Sequence, residues 1–237
     1  MQTAVEQNPR ASLFSTRGTT ALLRIVRDKR TPQKEYASAA DRLCHLLAEE
    51  ALASIVSDDE VSDVETPCGR ARMSGGRHVD TSNMCVVDIM RSGAILMEAV
   101  RKLAPDIKTA KILIQRDEAT ALPCLMYSKL PPNIADYHHV LLCDPMLATG
   151  GSACAAIDVL KLAGVAPEKI LFANVISCPE GLRRVAEHAQ EVRILTTAVD
   201  DHLDERKFII PGLGDFGDRY YGTSGYQEGH WGELCVP

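Results

Sequence analysis

Between Leu141 and Leu160 the run LLCDPMLATGGSACAAIDVL sets one acid, Asp144, directly after an apolar stretch. Thr149, Gly150, Gly151 and Ser152 then stand just ahead of a helical pattern. Glycines let main-chain N–H groups turn inward, two hydroxyls add donors, and a helix start favours an anion by about 0.3 to 1 kcal/mol. The stretch from Asp144 through Pro145, Met146, Leu147 and Ala148 to Ser152 can therefore cradle a phosphate. It has no lysine for a Walker loop and not the glycine order of a dinucleotide turn, which counts against an NTPase and a Rossmann dehydrogenase. A glycine turn capped by Ser152 with no ligand is the alternative. Asp144 would repel a phosphate placed against it, so something must lie between them, and a ribose with two hydroxyls fits. A second stretch, PGLGDFGD, packs Pro211, three glycines and two acids into eight residues. Such an open backbone suits the presentation of main-chain N–H and C=O groups, the alternative being a glycine-rich surface loop.

The elements that must hold these residues alternate. MCVVDIM, KILIQ, HHVLLC, KILFANVIS and VRILTTAV read as strands; GAILMEAVRKL, SACAAIDVLKLAG and PEGLRRVAEHA read as helices. Apolar strands alternating with helices imply right-handed crossovers, hence an α/β fold with a doubly wound, mainly parallel sheet flanked by helices. Ligands of such sheets bind beyond the carboxyl ends of the strands, where Asp144 and the loop after it fall. Residues 31–52 carry leucines and alanines at helical spacing and predict an amphipathic helix outside the repeat. Residues 56–81 predict a loop-rich flap with short alternations, ARM and HVD, as hairpin edges. At 237 residues one domain is expected, with an N-terminal arm over 1–30, the core sheet over 83–200, a segment over 208–223 and a tail over 224–237.

The formal net charge of −6 argues against a nucleic-acid partner, while leaving a local site for a small anion. Eight cysteines without CxxC spacing support neither a zinc site nor a disulfide framework. No apolar run reaches the roughly 18 residues of a membrane span, and the start lacks a signal peptide's apolar stretch, so no membrane association and a cytoplasmic location are expected. Arg10 and Arg17 allow a transit-peptide reading, which Glu6 interrupts.

DPMLATGGS resembles the 5-phosphoribosyl diphosphate loop of the uracil phosphoribosyltransferases, within the type I phosphoribosyltransferases. MRSG (Met90 to Gly93), ILIQRDE (Ile112 to Glu118) and IIPGLGDFGDRYYGT (Ile209 to Thr223) agree with it in order and spacing. Many type I relatives carry two adjacent acids before the loop; here the pair is Cys143 and Asp144, which fits the uracil branch. The resemblance implies replacement of diphosphate at the ribose anomeric carbon by N1 of uracil, giving UMP. It implies catalytic roles for Asp144, Arg116 and Asp215. Arg91 and Arg116 correspond to diphosphate ligands, whose forks match phosphate oxygens. Asp144 is implied to accept from the ribose hydroxyls, with Pro145 to Ser152 around the 5-phosphate, and Ile209, Gly214, Asp215 and Phe216 to read the base. Mg2+ is the implied cofactor, steered by Asp215. The alternative for either arginine is a surface ion pair, worth about 0 to 1 kcal/mol. Two rival readings are a non-catalytic relative and an enzyme of this fold acting on another base.

The connection from Asp117 to Leu130 is expected to be a mobile arm that folds over the reactants and excludes water. His138 and His139, adjacent on a strand, point to opposite faces and do not make a metal site. Asp200, Asp201, Asp204 and Glu205 are expected in a solvated loop. Arg24, Arg27, Lys29 and Arg30 resemble the place where some family members hold a GTP effector between subunits. A homo-oligomer, dimer or tetramer, is expected, with Tyr226, Trp231 and Leu234 of the tail packing at an interface.

Overall fold

The computed structural model describes residues 8–55, 61–74, 80–116 and 123–225, the side chains of Ser62, Ser74 and Arg116 excepted. In chain order the elements are β1 (Ala11–Leu13), α1 (Arg17–Arg27), α2 (Gln33–Ala53), β2 (Val61–Thr66), β3 (Gly69–Ser74), β4 (Met84–Met90), α3 (Gly93–Leu103), β5 (Lys108–Arg116) and β6 (Pro123–Lys129). There follow β7 (His139–Cys143), β8 (Met146–Leu147), α4 (Gly151–Leu162), β9 (Ile170–Ser177), α5 (Pro179–His188), β10 (Arg193–Val199), β11 (His202–Leu203), β12 (Ile209–Ile210) and α6 (Phe216–Tyr221).

The main sheet runs β1-β10-β9-β7-β4-β5-β6, with β8 beside β9. Every pairing in it is parallel except β5 with β6. Parallel strands covered on both faces need apolar side chains both ways, and β9, ILFANVIS, is buried at all its positions. Along β4, Met84 and Val86 enter the core shared with α1, α2 and α3. Cys85, Val87 and Ile89 enter the core beneath α4 and α5. The doubly wound layer expected from the alternation is the observed one.

Three regions add to the sequence expectation. Ahead of helix α1 in the expected N-terminal arm, β1 joins the sheet edge beside β10, a strand the sequence reading did not include; Asn8 Nδ2 anchors its start by donating to the Leu182 carbonyl at 3.2 Å. Within the expected loop-rich flap, residues 61–74 form the regular hairpin β2–β3, with ARM on one of its strands as expected, while 56–60 and 75–79 lie outside the described residues. Of the expected mobile arm, 117–122 lie outside the described residues; the remainder, β6, is hydrogen-bonded to β5.

α1 is opened by a capping box in which Thr16 Oγ1 accepts from Thr19 N at 3.1 Å and Thr19 Oγ1 accepts from Thr16 N at 2.8 Å. α2 starts after Pro32 and buries Tyr36, Ala40, Leu43, Leu47 and Ala51 along one stripe. Together α1 and α2 form the platform on which α6 and the glycine-rich segment rest. His138 is exposed and His139 half-buried, as two faces of a strand require. The described cysteines are all free.

Candidate active site

Asp144 follows the last residue of β7, with its N–H donating to the Ala173 carbonyl at 3.3 Å. Its carboxyl is half-buried and loosely held, Oδ1 taking long contacts of 3.5 Å from both Ser92 Oγ and Met146 N. Burial pushes this carboxyl up to about 7; the Met146 N–H and the Ser92 hydroxyl pull it down, and the Asp215 charge raises it again. Cys143 beside it supplies no second charge, because full burial pushes its thiol well above the usual range.

Beyond Asp144 the chain is not a simple loop. Pro145 O accepts from Val175 N at 2.9 Å and Ile176 N at 3.0 Å, and β8 pairs with β9. The Leu147 side chain is consequently buried in the core under α4 and α5, so only main-chain atoms of this assigned ligand residue can meet a substrate. Ala148 and Thr149 lead to Gly150, the N-cap of α4, at φ 75°, a left-handed conformation that favours glycine. Gly150 provides no side-chain cap, and Thr149 Oγ1 accepts a long 3.4 Å contact from Gly151 N. The first turn of α4, Gly151 and Ser152, therefore presents main-chain donors of the kind that bind phosphate.

Arg91 and Ser92 leave β4 toward the same end of the sheet, after a cis Met90–Arg91 peptide. A Cβ on Gly93 would stand 2.3 Å from the Cys143 carbonyl oxygen, so only glycine lets the start of α3 lie against the end of β7. That approach brings Ser92 to Asp144. The Arg91 guanidinium is exposed, donating to Asp218 Oδ1 at 2.6 Å and to Thr223 Oγ1 at 2.9 Å. Arg116 ends β5; its side chain lies outside the described residues.

The glycine-rich segment runs from β12 into α6. Ile209 is buried and Gly214 exposed. Asp215 is exposed and caps α6, Oδ1 accepting from Asp218 N at 2.7 Å. Phe216 is buried edge-on against Tyr36 at 5.8 Å between ring centroids, so its ring belongs to the core and any reading of a base by this residue falls to its backbone. Among the described residues no group of three or more His, Cys, Asp or Glu side chains gathers as a metal site.

Two residues escaped the sequence reading. Asp200 is not solvated but buried, receiving both Arg27 guanidinium nitrogens at 2.6 and 2.7 Å and the Gly212 N–H at 2.7 Å. Its place at the end of an apolar strand, opposite a basic helix end, was the available signal. Arg184 lays its side chain over the phosphate-loop candidate, its stem within 3.4 Å of a Cβ built on Gly150 and Nη1 donating to Thr149 O at 3.4 Å. Of the expected basic cluster, Arg27 thus faces Asp200 and Arg30 pairs with Asp28 at 2.7 Å, whereas Arg24 and Lys29 are exposed.

A family model described as uracil phosphoribosyltransferase matches residues 13–223. The chain is 41% identical over 202 residues to the uracil phosphoribosyltransferase of Dictyostelium discoideum, covering 85% of this chain and 91% of that one. It is 43% identical over 203 residues to uracil phosphoribosyltransferase 1 of Schizosaccharomyces pombe, covering 85% and 90%. Among solved structures it is similar to the AQ2163 protein of Aquifex aeolicus, with a TM-score of 0.75, 30% identity and coverage of 91% of this chain and all of that one. With a family match over most of its length and relatives above 40% identity, the chain belongs to the uracil phosphoribosyltransferase family.

Proposed function

We propose that this site transfers phosphoribosyl from 5-phosphoribosyl 1-diphosphate to N1 of uracil, giving UMP and diphosphate, in pyrimidine salvage. The observation that carries the reading is the meeting of three parts at one sheet end. These are the loosely bound Asp144 carboxyl with its Ser92 contact, the start of α4 without a side-chain cap on its N-cap residue, and the Asp215 turn, whose Oδ1 and the Ser92 Cβ both lie 3.4 Å from a Cβ built on Gly217.

Departure of diphosphate leaves positive charge on the ribose ring, so catalysis requires the sugar held still and the leaving group neutralised. The α4 donors fix the 5-phosphate end, and Asp144, otherwise poorly satisfied, takes the ribose hydroxyls. Arg91 and Arg116 are assigned to the diphosphate. Main-chain groups of Gly214, Asp215 and Phe216 read the base, with Ile209 beneath them; a base with its donors and acceptors exchanged leaves buried groups unpaired, a mismatch worth about ten-thousandfold in discrimination. Asp215, exposed at the turn before α6, offers carboxylate oxygen, which fits Mg2+, an ion that takes one or two carboxylates and otherwise water and phosphate oxygens. When bound, Mg2+ would supply charge neutralisation on the diphosphate, with Asp215 as its steering carboxylate.

The hairpin supports the further reading of a homo-oligomer. Its register puts Asp63 opposite Arg72 and Glu65 opposite Arg70 on one face, and Val64, Ala71 and Met73 on the other. Val64 and Met73 are exposed. A dimer or tetramer by light scattering is the expected result. The exposed Arg24 and Lys29 are the residues left for a GTP effector, tested by activity at limiting donor with and without GTP. A cytoplasmic location is consistent with the finding that, among the described residues, no helix is long and apolar enough to cross a membrane; cell fractionation tests it.

The deciding experiment mixes protein, uracil, donor and Mg2+ and follows UMP, with cytosine, hypoxanthine and orotate as competitors. UMP formed from uracil, with the others excluded, is expected. No UMP, or preference for another base, overturns the assignment.

A further inference from the structure

The turn assigned to the base is held from behind by two arginines that exchange places between elements. Arg27, the last residue of α1, sends Nη1 to the Gly212 carbonyl at 2.8 Å while its fork grips Asp200 at 2.6 and 2.7 Å. Asp200 returns to the same peptide, accepting from Gly212 N at 2.7 Å. A guanidinium, a carboxylate and both polar groups of one residue thus close a ring. Gly212 has φ 64°, and a Cβ there would lie 2.0 Å from the Ile209 carbonyl oxygen, so no other residue fits the closed ring.

Arg219 does the converse. It belongs to α6, yet its guanidinium donates to the Val26 carbonyl and, at 2.7 Å, to the Asp28 carbonyl, both at the carboxyl end of α1. Nη1 also donates to the Leu213 carbonyl at 2.6 Å, and the guanidinium lies over the Tyr36 ring at 4.3 Å from its centroid. The Ile210 carbonyl is taken by Asp201 N at 3.0 Å. The carbonyls of Ile210, Gly212 and Leu213 are therefore occupied, and Pro211 has no N–H. The Asp215 carbonyl accepts from Arg219 N at 3.2 Å, so what remains of this turn for a planar hydrogen-bonding ligand is the Pro211 and Gly214 carbonyls and the N–H groups from Leu213 to Phe216.

We infer that Arg27, Asp200 and Arg219 are positioning residues for base selection, clamping the 210–213 main chain to the end of α1 so that the following peptides face the pyrimidine in one fixed register. The inference rests on the assignment of uracil as the acceptor. The clamp touches neither the α4 phosphate cradle nor Asp144 and meets the donor side only through α6, whose Asp218 holds the exposed Arg91, so its loss acts first on the base. Charge-assisted forks in a water-poor site fix geometry in a way a lysine's single point of charge does not.

The test uses Arg27→Lys, Arg219→Lys and Asp200→Asn in the full chain, with Arg101→Ala, from an exposed pair with Glu98, as control. The expected result is a rise of the uracil KM by about ten- to a hundredfold, the donor KM staying within about twofold, and a fall in the preference for uracil over cytosine. Ratios of KM values do not depend on the active fraction, so partial unfolding does not imitate this result. Should Asp200→Asn fail to fold, Arg219→Lys remains decisive, because its partners are carbonyls and no buried charge is stranded. Variants with wild-type uracil KM, or with both KM values rising together, overturn the clamp. Wild-type protein that makes no UMP overturns the parent assignment instead.

Discussion

Arg91 at the end of β4 and Asp218 in α6 form an ion pair of 2.6 Å, so a residue assigned to the diphosphate also joins the strand end to the base segment. Both partners are substantially exposed, and removing the charge with Asp218→Asn is expected to change stability by less than about 1 kcal/mol. Relieved of a competing carboxylate, Arg91 should bind donor about threefold more tightly at low salt, while the loss of its fixed orientation lowers kcat. Calorimetry and turnover on the same variant read the two effects separately. The Arg91 guanidinium, and then the Thr223 hydroxyl, hold the Asp218 carboxyl below the usual range. A depressed acid stabilises above its unfolded value and loses that contribution only as pH falls through the lower folded one. The pair is therefore intact around neutrality.

Asp144 has the opposite sign. With its folded value near 7 against about 3.9 when unfolded, the folded state keeps a proton that the unfolded chain has released. Its contribution to stability falls as pH rises from about 4 to about 7 and stays low above that. Asp144→Asn should gain about 1 to 2 kcal/mol at pH 8, solvent at the open side of the loop reducing the full effect, and nothing at pH 4. Wild-type kcat/KM for the donor should climb through pH 7 as the carboxylate forms, whereas the variant should be flat and at least about a hundredfold slower. A variant at wild-type rate removes Asp144 from the mechanism.

Two glycines in the site are held for different reasons. Gly93→Ala drives a Cβ to 2.3 Å from a backbone oxygen and is expected to cost about 1 to 3 kcal/mol while moving Ser92 off Asp144. At Gly151 the nearest atom to an added Cβ is Thr149 Oγ1 at 3.5 Å, an ordinary contact. Gly151→Ala should therefore melt like wild type, yet raise the donor KM if phosphate approaches the backbone closely there. Melting curves beside donor KM values distinguish the two.

Asp88 lies wholly buried in β4, with Lys111 Nζ at 3.1 and 3.2 Å from its oxygens. Burial pushes the Asp88 carboxyl up and Lys111 pulls it down. Lys111→Met strands the acid and should cost about 3 kcal/mol at pH 8. Protonation of Asp88 removes the stranded charge, so the loss should shrink toward pH 4. Urea midpoints at the two values check this.

Tyr36 carries a buried hydroxyl without a hydrogen-bond partner. Its ring already meets Phe216 and the Arg219 guanidinium, contacts that phenylalanine keeps. Tyr36→Phe should therefore gain about 1 kcal/mol, seen as a higher Tm. A lower Tm would identify a hidden partner for the oxygen.

Much of the fold could be read because period and length agree: apolar strands of five to nine residues alternating with amphipathic helices leave few topologies. The turn proposed to cradle phosphate was legible from its glycines and the order of strand, acid, turn and helix. What escaped is what depends on three dimensions. Asp200 looked like one acid among several, and only its partner Arg27, 173 positions away, makes it an interior residue. Leu147 and Phe216 lie within ligand motifs, but their side chains serve the core, since a motif records which backbone meets a substrate and not where each side chain points. β1 is three residues long, too short for a periodic signal, and forms because β10 offers it an edge.

That small strand has a practical consequence. Ala11 to Leu13 cover the otherwise open rim of β10, whose N–H and C=O groups would, in a shortened protein beginning at Phe14, be left as a template for chains to stack upon. Purified material trimmed at that point should turn cloudy on warming, even with every proposed reaction residue in place.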